Sequence, residues 1–208
     1  MDKSPLDKPI LLTLGYFPPV PWFTALSIAP EAYLEQHEHY QKGSFRNRCQ
    51  IATANGLQTL TVPLRKGKNQ QQPIREVHIA YDEPWQIQHW RAIVTAYGSS
   101  PFFEHYAHLF EPFFKGKRHE LLWDWNYDLL QVCLKILRAK TPISLSDAYE
   151  ALPVGFLDYR NTFHPNARLQ YEVGHNPIKY PQVFEDRLGF LPNLSILDLI
   201  FCAGRLLV

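Results

Sequence analysis

Residues 35–49 read EQHEHYQKGSFRNRC and gather two glutamates, two histidines, a lysine, two arginines and an asparagine. Several chemistries draw on such a set. His37 and His39 stand two apart, so on a strand both imidazoles face one way and could share a metal ion. A third ligand is not marked nearby, and neither an HExxH motif nor a cysteine pair supports one, so no metal site is expected. Lys42, Arg46 and Arg48, with Arg65, Lys66 and Lys68 further on, offer point charges and planar forks suited to phosphate or carboxylate groups. The competing reading is an edge strand whose charges block aggregation. On a strand Arg46 and Arg48 would share a face, with Asn47 on the other.

Two further residue groups could carry chemistry. His89 lies four residues from both Trp85 and Ile93, which puts it on the buried side of a helix. Such an imidazole serves either as a general base near neutral pH or as a satisfied core histidine. Ser195 and Asp198 precede an apolar run with the spacing of a capping box, which is favoured over a catalytic role. The chain has no G-x-S-x-G, phosphate-binding loop or dinucleotide fingerprint.

The elements that must position these residues change character along the chain. The first 80 residues read as β-rich. PILLTLGYF is a short buried strand ended by Pro18, Pro19 and Pro21, AYLEQHEHY is a strand or strand end, and IREVHIAY is another strand. In CQIATANGLQTLTVPL, Asn55-Gly56 divides two β-branched runs and predicts a hairpin over 49–63 with a type I′ turn. Helical spacing begins at residue 84 and gives three helices by residue 140, the second opened by Ser100 and Pro101 and ended or kinked by Pro112. ARLQYEV reads as a late strand, and LSILDLIFCAG as a final helix stopped at Gly204. These elements predict an α+β fold in one domain over 1–208. Its sheet is antiparallel or mixed, built mainly from the N-terminal third, and covered by three or four helices.

Bulk properties bound the function. The 208 residues are 46% hydrophobic and 14% aromatic, enough for a large core, and the net charge of +1 leaves no extensive nucleic-acid surface. Cys49, Cys133 and Cys202 are odd in number and far apart, which argues for a reducing compartment. The apolar N-terminal run is too short for a signal peptide or a membrane span, so a soluble cytoplasmic protein is expected.

Five segments in order carry a resemblance: GYFPP, YQKGSFRNRCQI, LTVPL, HWRAIVTAYGSSPFF and YPQVF…GFLPNLSILDLIFCAG. Together they resemble the WbqC-like protein family, over nearly the whole chain from Tyr16 to Gly204. Matching positions are Tyr16, Tyr40, Lys42, Asn47, Arg48, Tyr97, Pro101, Phe102, Gln182, Ser195 and Asp198. The family pattern often has an aspartate where this chain has Gln36. The resemblance implies a role in bacterial O-antigen or polysaccharide synthesis, where a glycine transferase activity has been suggested. It names no cofactor. The expected reaction is transfer of an aminoacyl group, glycyl being one candidate, to a hydroxyl or amine of an activated sugar. Partners are then an activated sugar or another phosphate-bearing small molecule, and an aminoacyl donor, which could be a tRNA. In that scheme Lys42, Arg46 and Arg48 hold an anion, Glu38 or His89 takes a proton, and Asn47 steadies the oxyanion. Tyr16, Tyr40, Tyr97 and Gln182 complete the expected ligand-binding set. The alternative is a non-catalytic module that binds a sugar nucleotide or a partner in the same pathway. A buried titratable group beside the cations would separate the two.

Overall fold

The computed structural model describes residues 6–65, 72–116, 119–165 and 178–205. Strand β1 (Ile10–Thr13) leads through helix α1 (Val20–Ile28) into strand β2 (Ala32–Glu35), and the two strands pair in parallel from Ile10↔Ala32 to Thr13↔Glu35. Two antiparallel strands, β3 (Arg48–Thr53) and β4 (Gly56–Thr61), follow as a separate hairpin. Three long helices come next: α2 (Trp85–Tyr97), α3 (Phe103–Lys115) and α4 (Leu122–Leu137). Short strands β5 (Ile143–Leu145) and β6 (Leu157–Asp158) then complete the main sheet in the order β5-β2-β1-β6. Helices α5 (Glu185–Leu188) and α6 (Ile196–Ala203) close the described chain.

The main sheet is therefore parallel throughout, which corrects the antiparallel or mixed sheet expected from sequence. The reason lies in α1. Its buried residues Val20, Trp22, Phe23, Ala25, Leu26 and Ile28 surround the helix axis, so the segment shows no amphipathic period. Its prolines do not only stop β1. Pro19 is the N-cap and Pro21 sits in the first turn, where the missing N–H has no intrahelical partner in any case. A helix between two adjacent strands is a crossover, and crossovers make parallel pairs. A second correction concerns IREVHIAY, which forms a 3-10 turn over Ile74–Glu76 and isolated bridges Leu64↔Ile79 and His78↔Leu121.

The hairpin forms as expected, but Thr53 pairs with Gly56, so its loop is Ala54-Asn55. Gly56 takes the positive φ of +106° while Asn55 does not, so the turn is not type I′. Helix α3 runs through Pro112 to Lys115, and its N-cap is Phe102 rather than Ser100. The segment ARLQYEV lies outside the described residues, as do Lys66 and Lys68 of the basic loop. The core is aromatic. Trp125 of α4 meets Tyr16, Trp85, Phe113 and Phe114 at ring separations between 5.3 and 6.4 Å. Helix α6 passes through this core with Ile196, Leu197, Leu199, Ile200 and Phe201 fully buried.

Candidate functional site

The carboxyl ends of parallel strands leave backbone and side chains converging on one edge, where open α/β sheets bind ligands. Here that edge holds Thr13 from the end of β1, Glu35 from the end of β2, and Asp158 from the end of β6. Glu38 lies just beyond β2, and Arg160 just beyond β6. The 146–156 connection, running from one edge of the sheet to the other, adds Tyr149.

Two buried guanidiniums organise this edge. Arg46 donates from Nε to Glu38 Oε1 at 2.8 Å and from Nη2 to Glu38 Oε2 at 2.5 Å. Its Nη1 reaches Gln41 at 3.3 Å, and its main-chain carbonyl accepts from Asn126 of α4 at 2.7 Å. Arg160 donates from Nε and Nη2 to the two oxygens of Asp158 at 2.9 and 2.7 Å, and from Nη1 to Glu35 at 3.3 Å. Its guanidinium also lies 4.9 Å from the ring centre of Tyr149. Thr13 bridges the two pairs by donating to the Arg160 carbonyl at 2.8 Å. Glu35 is fixed as well, by Ser146 Oγ and the His37 amide, each at 2.8 Å.

A cleft of about 310 Å³ opens above this network, lined by Glu38, His39, Tyr40 and Gln41 on one side and Tyr149, Arg160 and Asn161 on the other. Arg46 and Arg160 also line a crevice of about 20 Å³, room for roughly one water, with Thr13, Gly15, Trp22, Phe45 and Phe163. Burial pushes the Glu38 carboxyl above its ordinary range, against the opposing pull of Arg46. The fork from Arg160 holds Asp158 below its own range. His164 is held low by burial and by the nearby Arg46 charge.

The remaining sequence candidates fall in three other places. Tyr16 and His89 are both in the core, sharing a hydrogen bond of 3.0 Å from Tyr16 Oη to His89 Nδ1, with Trp85 packed edge-on to the imidazole. Burial lowers His89 to about 4, so it is neutral near pH 7. Asn47 accepts from Tyr40 Oη at 3.0 Å and donates to the Val62 carbonyl at 2.9 Å, locking the entry to β3. Lys42 is exposed, and Arg48 is half-buried on β3 with its Nε enclosed and without a hydrogen-bond partner.

Tyr97, Gln182, Ser195 and Asp198 meet around α6. Ser195 is its N-cap, accepting from the Leu197 amide at 3.3 Å, and Asp198 is fully buried. Gln182 pins the 180–191 turn through bonds with Leu191 N and O, at 2.8 and 2.9 Å, and with Tyr180 Oη at 3.3 Å. Neither Asp198 oxygen nor Tyr97 Oη has a partner within hydrogen-bond geometry. Burial nevertheless dominates at Asp198 and raises it to about 6, while the nearby Tyr180, Tyr97 and Gln182 groups pull it down. His37 reaches the Ser146 carbonyl at 3.1 Å, while His39 is exposed at the cleft. Among the described residues no group of three His, Cys, Asp or Glu is arranged to hold a metal ion. None of their helices is long and apolar enough to cross a membrane.

Sequence reasoning missed Thr13, Glu35, Tyr149, Asp158, Arg160 and His164. One signal was available for two of them: Asp158 and Arg160 stand two apart beside a strand, on one face.

The model of the WbqC-like protein family matches residues 15–154, a span that includes Glu35, Glu38, Arg46 and Tyr149. The chain belongs to the WbqC-like protein family. A relative in Mycobacterium tuberculosis, the uncharacterized protein Rv1507c, is 27% identical over 220 residues, covering 96% of this chain and 95% of that protein. No solved structure matches this WbqC-like chain. Arg160 and the α6 cluster lie beyond the span that the family model matches.

Proposed function

We propose that this WbqC-like protein transfers an aminoacyl group, with glycyl as the leading candidate, to a hydroxyl or amine of an activated sugar in polysaccharide or O-antigen synthesis. The observation that carries the reading is Glu38. It is a titratable carboxyl, 3% exposed, on the wall of an open cleft beside two guanidiniums. A binding module needs cations and aromatic surface but no buried base, whereas acyl transfer needs one. The nucleophilic oxygen or nitrogen attacks the acyl carbonyl carbon and forms the new bond. Glu38 takes the proton the nucleophile releases, and the donor's leaving group departs with the electron pair of the broken acyl bond. A carboxylate raised by burial is a stronger base than one in water. Arg46 fixes its orientation through the two-pronged contact. Asn47 and His89 have their polar groups engaged inside the fold, so the proposal gives proton transfer to Glu38 alone.

The test is an incubation of the purified protein with nucleotide-activated sugars and three glycyl sources: glycine with ATP, glycyl adenylate and glycyl-tRNA. Mass spectrometry reads the addition of one glycyl unit to the sugar. The native protein is expected to give product, and Glu38→Gln to lose about 10²–10⁴-fold in rate with an unchanged circular dichroism spectrum. Sugar binding without product from any pair would refute transfer and favour the binding-module alternative.

A further inference from the structure

Two guanidiniums beside a cleft suggest an anion, yet both are already committed. Every nitrogen of Arg46 and of Arg160 donates to Glu38, Gln41, Asp158 or Glu35. A phosphate bonding these nitrogens would compete with the carboxylates for them, and displacing Glu38 or Glu35 would strand a buried carboxylate. The charges point the same way. Glu35, Glu38 and Asp158 oppose Arg46 and Arg160, three carboxylates to two guanidiniums, which leaves the network one negative charge in excess. Asp147 and Glu150, both exposed, flank Tyr149 on the same connection. On the other side stand His39 at the rim, His164 near Arg46, and exposed Lys42 beyond Gln41. The cleft itself, about 310 Å³ with Tyr149 on its wall, has room for one sugar ring.

We infer that the cleft selects its sugar by an amine: the amino group of an amino sugar sits against Glu38, and the ring lies along Tyr149. The inference rests on the cleft being the acceptor site and narrows the acceptor from hydroxyl or amine to amine. The diphosphate of an activated sugar then lies toward solvent, away from Arg46 and Arg160. Glu38, which neutralises the ammonium on binding, takes one of its protons to free the lone pair for attack; the second proton, released as the new N–C bond forms, leaves with the departing group of the acyl donor.

Isothermal titration calorimetry without any acyl donor tests this. The probes are nucleotide sugars with the amine at different ring carbons, each paired with its hydroxyl counterpart, and inorganic pyrophosphate as competitor. At least one amino sugar is expected to bind at least about tenfold more tightly than its hydroxyl partner, a difference of about 1.4 kcal/mol. Pyrophosphate should not displace it, and Glu38→Gln should abolish the preference. Equal or tighter binding of every hydroxyl partner, displacement by pyrophosphate, or no binding at all overturns the inference. If Glu38→Gln does not fold, the pairwise comparison and the competition on native protein still decide. Amine preference without glycyl transfer would refute only the proposed activity, and transfer to hydroxyl sugars would refute only this inference.

Discussion

Replacing Asp198 with asparagine should change how stability depends on pH. Asp198 is fully buried, and its folded value of about 6 stands above the ordinary 3.8. Between these values the folded state holds a proton that the unfolded state has lost, so stability falls as pH rises through the window. A gap of about two units at about 1.4 kcal/mol each gives a cost of about 3 kcal/mol, complete above pH 6. His89 acts in the opposite sense. Its folded value of about 4 lies below the ordinary 6.5, so the unfolded state binds the extra proton and stability falls as pH drops from 6.5 to 4. That too is worth about 3 kcal/mol. The native protein should thus show a shallow profile between pH 4 and 6.5 as far as these two groups are concerned. Asp198→Asn unmasks the His89 contribution, and the variant's stability relative to native protein should rise by about 3 kcal/mol between pH 4 and 7. His89→Phe should produce the mirror result, gaining relative to native protein as pH falls. The assay is urea unfolding followed by tryptophan fluorescence across that range, with equal m-values required. A pH-independent difference between Asp198→Asn and native protein would show that Asp198 titrates alike in both states, and the reasoning would fail. Comparing variants with native protein cancels the shifts at Glu38, Asp158 and His164, which remain in both.

Two stability predictions follow from the same structure. Arg160→Ala removes the partner of Glu35, which is 1% exposed, and should destabilise by about 3–5 kcal/mol; an unchanged melting temperature would mean Glu35 is satisfied without it. Gly204→Ala places a Cβ 2.7 Å from the Phe102 ring at a φ of +71° and should cost about 1–3 kcal/mol in chemical denaturation. A stabilised variant would contradict the close approach of α6 to that ring.

What was legible in the sequence is what local pattern decides. Asn55-Gly56 between β-branched runs specified the hairpin, the spacing of apolar residues specified α2, α3 and α4, and the Ser195 side chain specified a cap. Helix α1 was illegible because burial on all sides erases the 3.6-residue period. Without α1 there was no crossover, and without a crossover the parallel pairing of β1 with β2 could not be inferred. The quoted 35–49 stretch read as one cluster because its residues are adjacent in sequence. The fold divides it. Glu38 lines the cleft, Arg46 lies behind it in the ion pair, Asn47 closes the base of the hairpin, and Lys42 points to solvent.

The cleft was hidden for the complementary reason. Thr13 and Arg160 share a hydrogen bond across 147 positions of chain, and Glu35 and Arg160 an ion pair across 125. A parallel sheet brings the last residue of each strand to one edge whatever the sequence separation, so no window along the chain contains the site. The same geometry explains why a network of five charges, four of them buried, is held here. Exchanging such groups for apolar ones is often neutral or stabilising, so stability alone gives little reason to keep them. Each guanidinium instead fixes one carboxylate against the end of a different strand, Arg46 holding Glu38 beyond β2 and Arg160 holding Asp158 at β6. Glu38 is left immobilised at the cleft wall, short of solvent and above its ordinary pKa, which is the condition a proton acceptor for an incoming nucleophile requires.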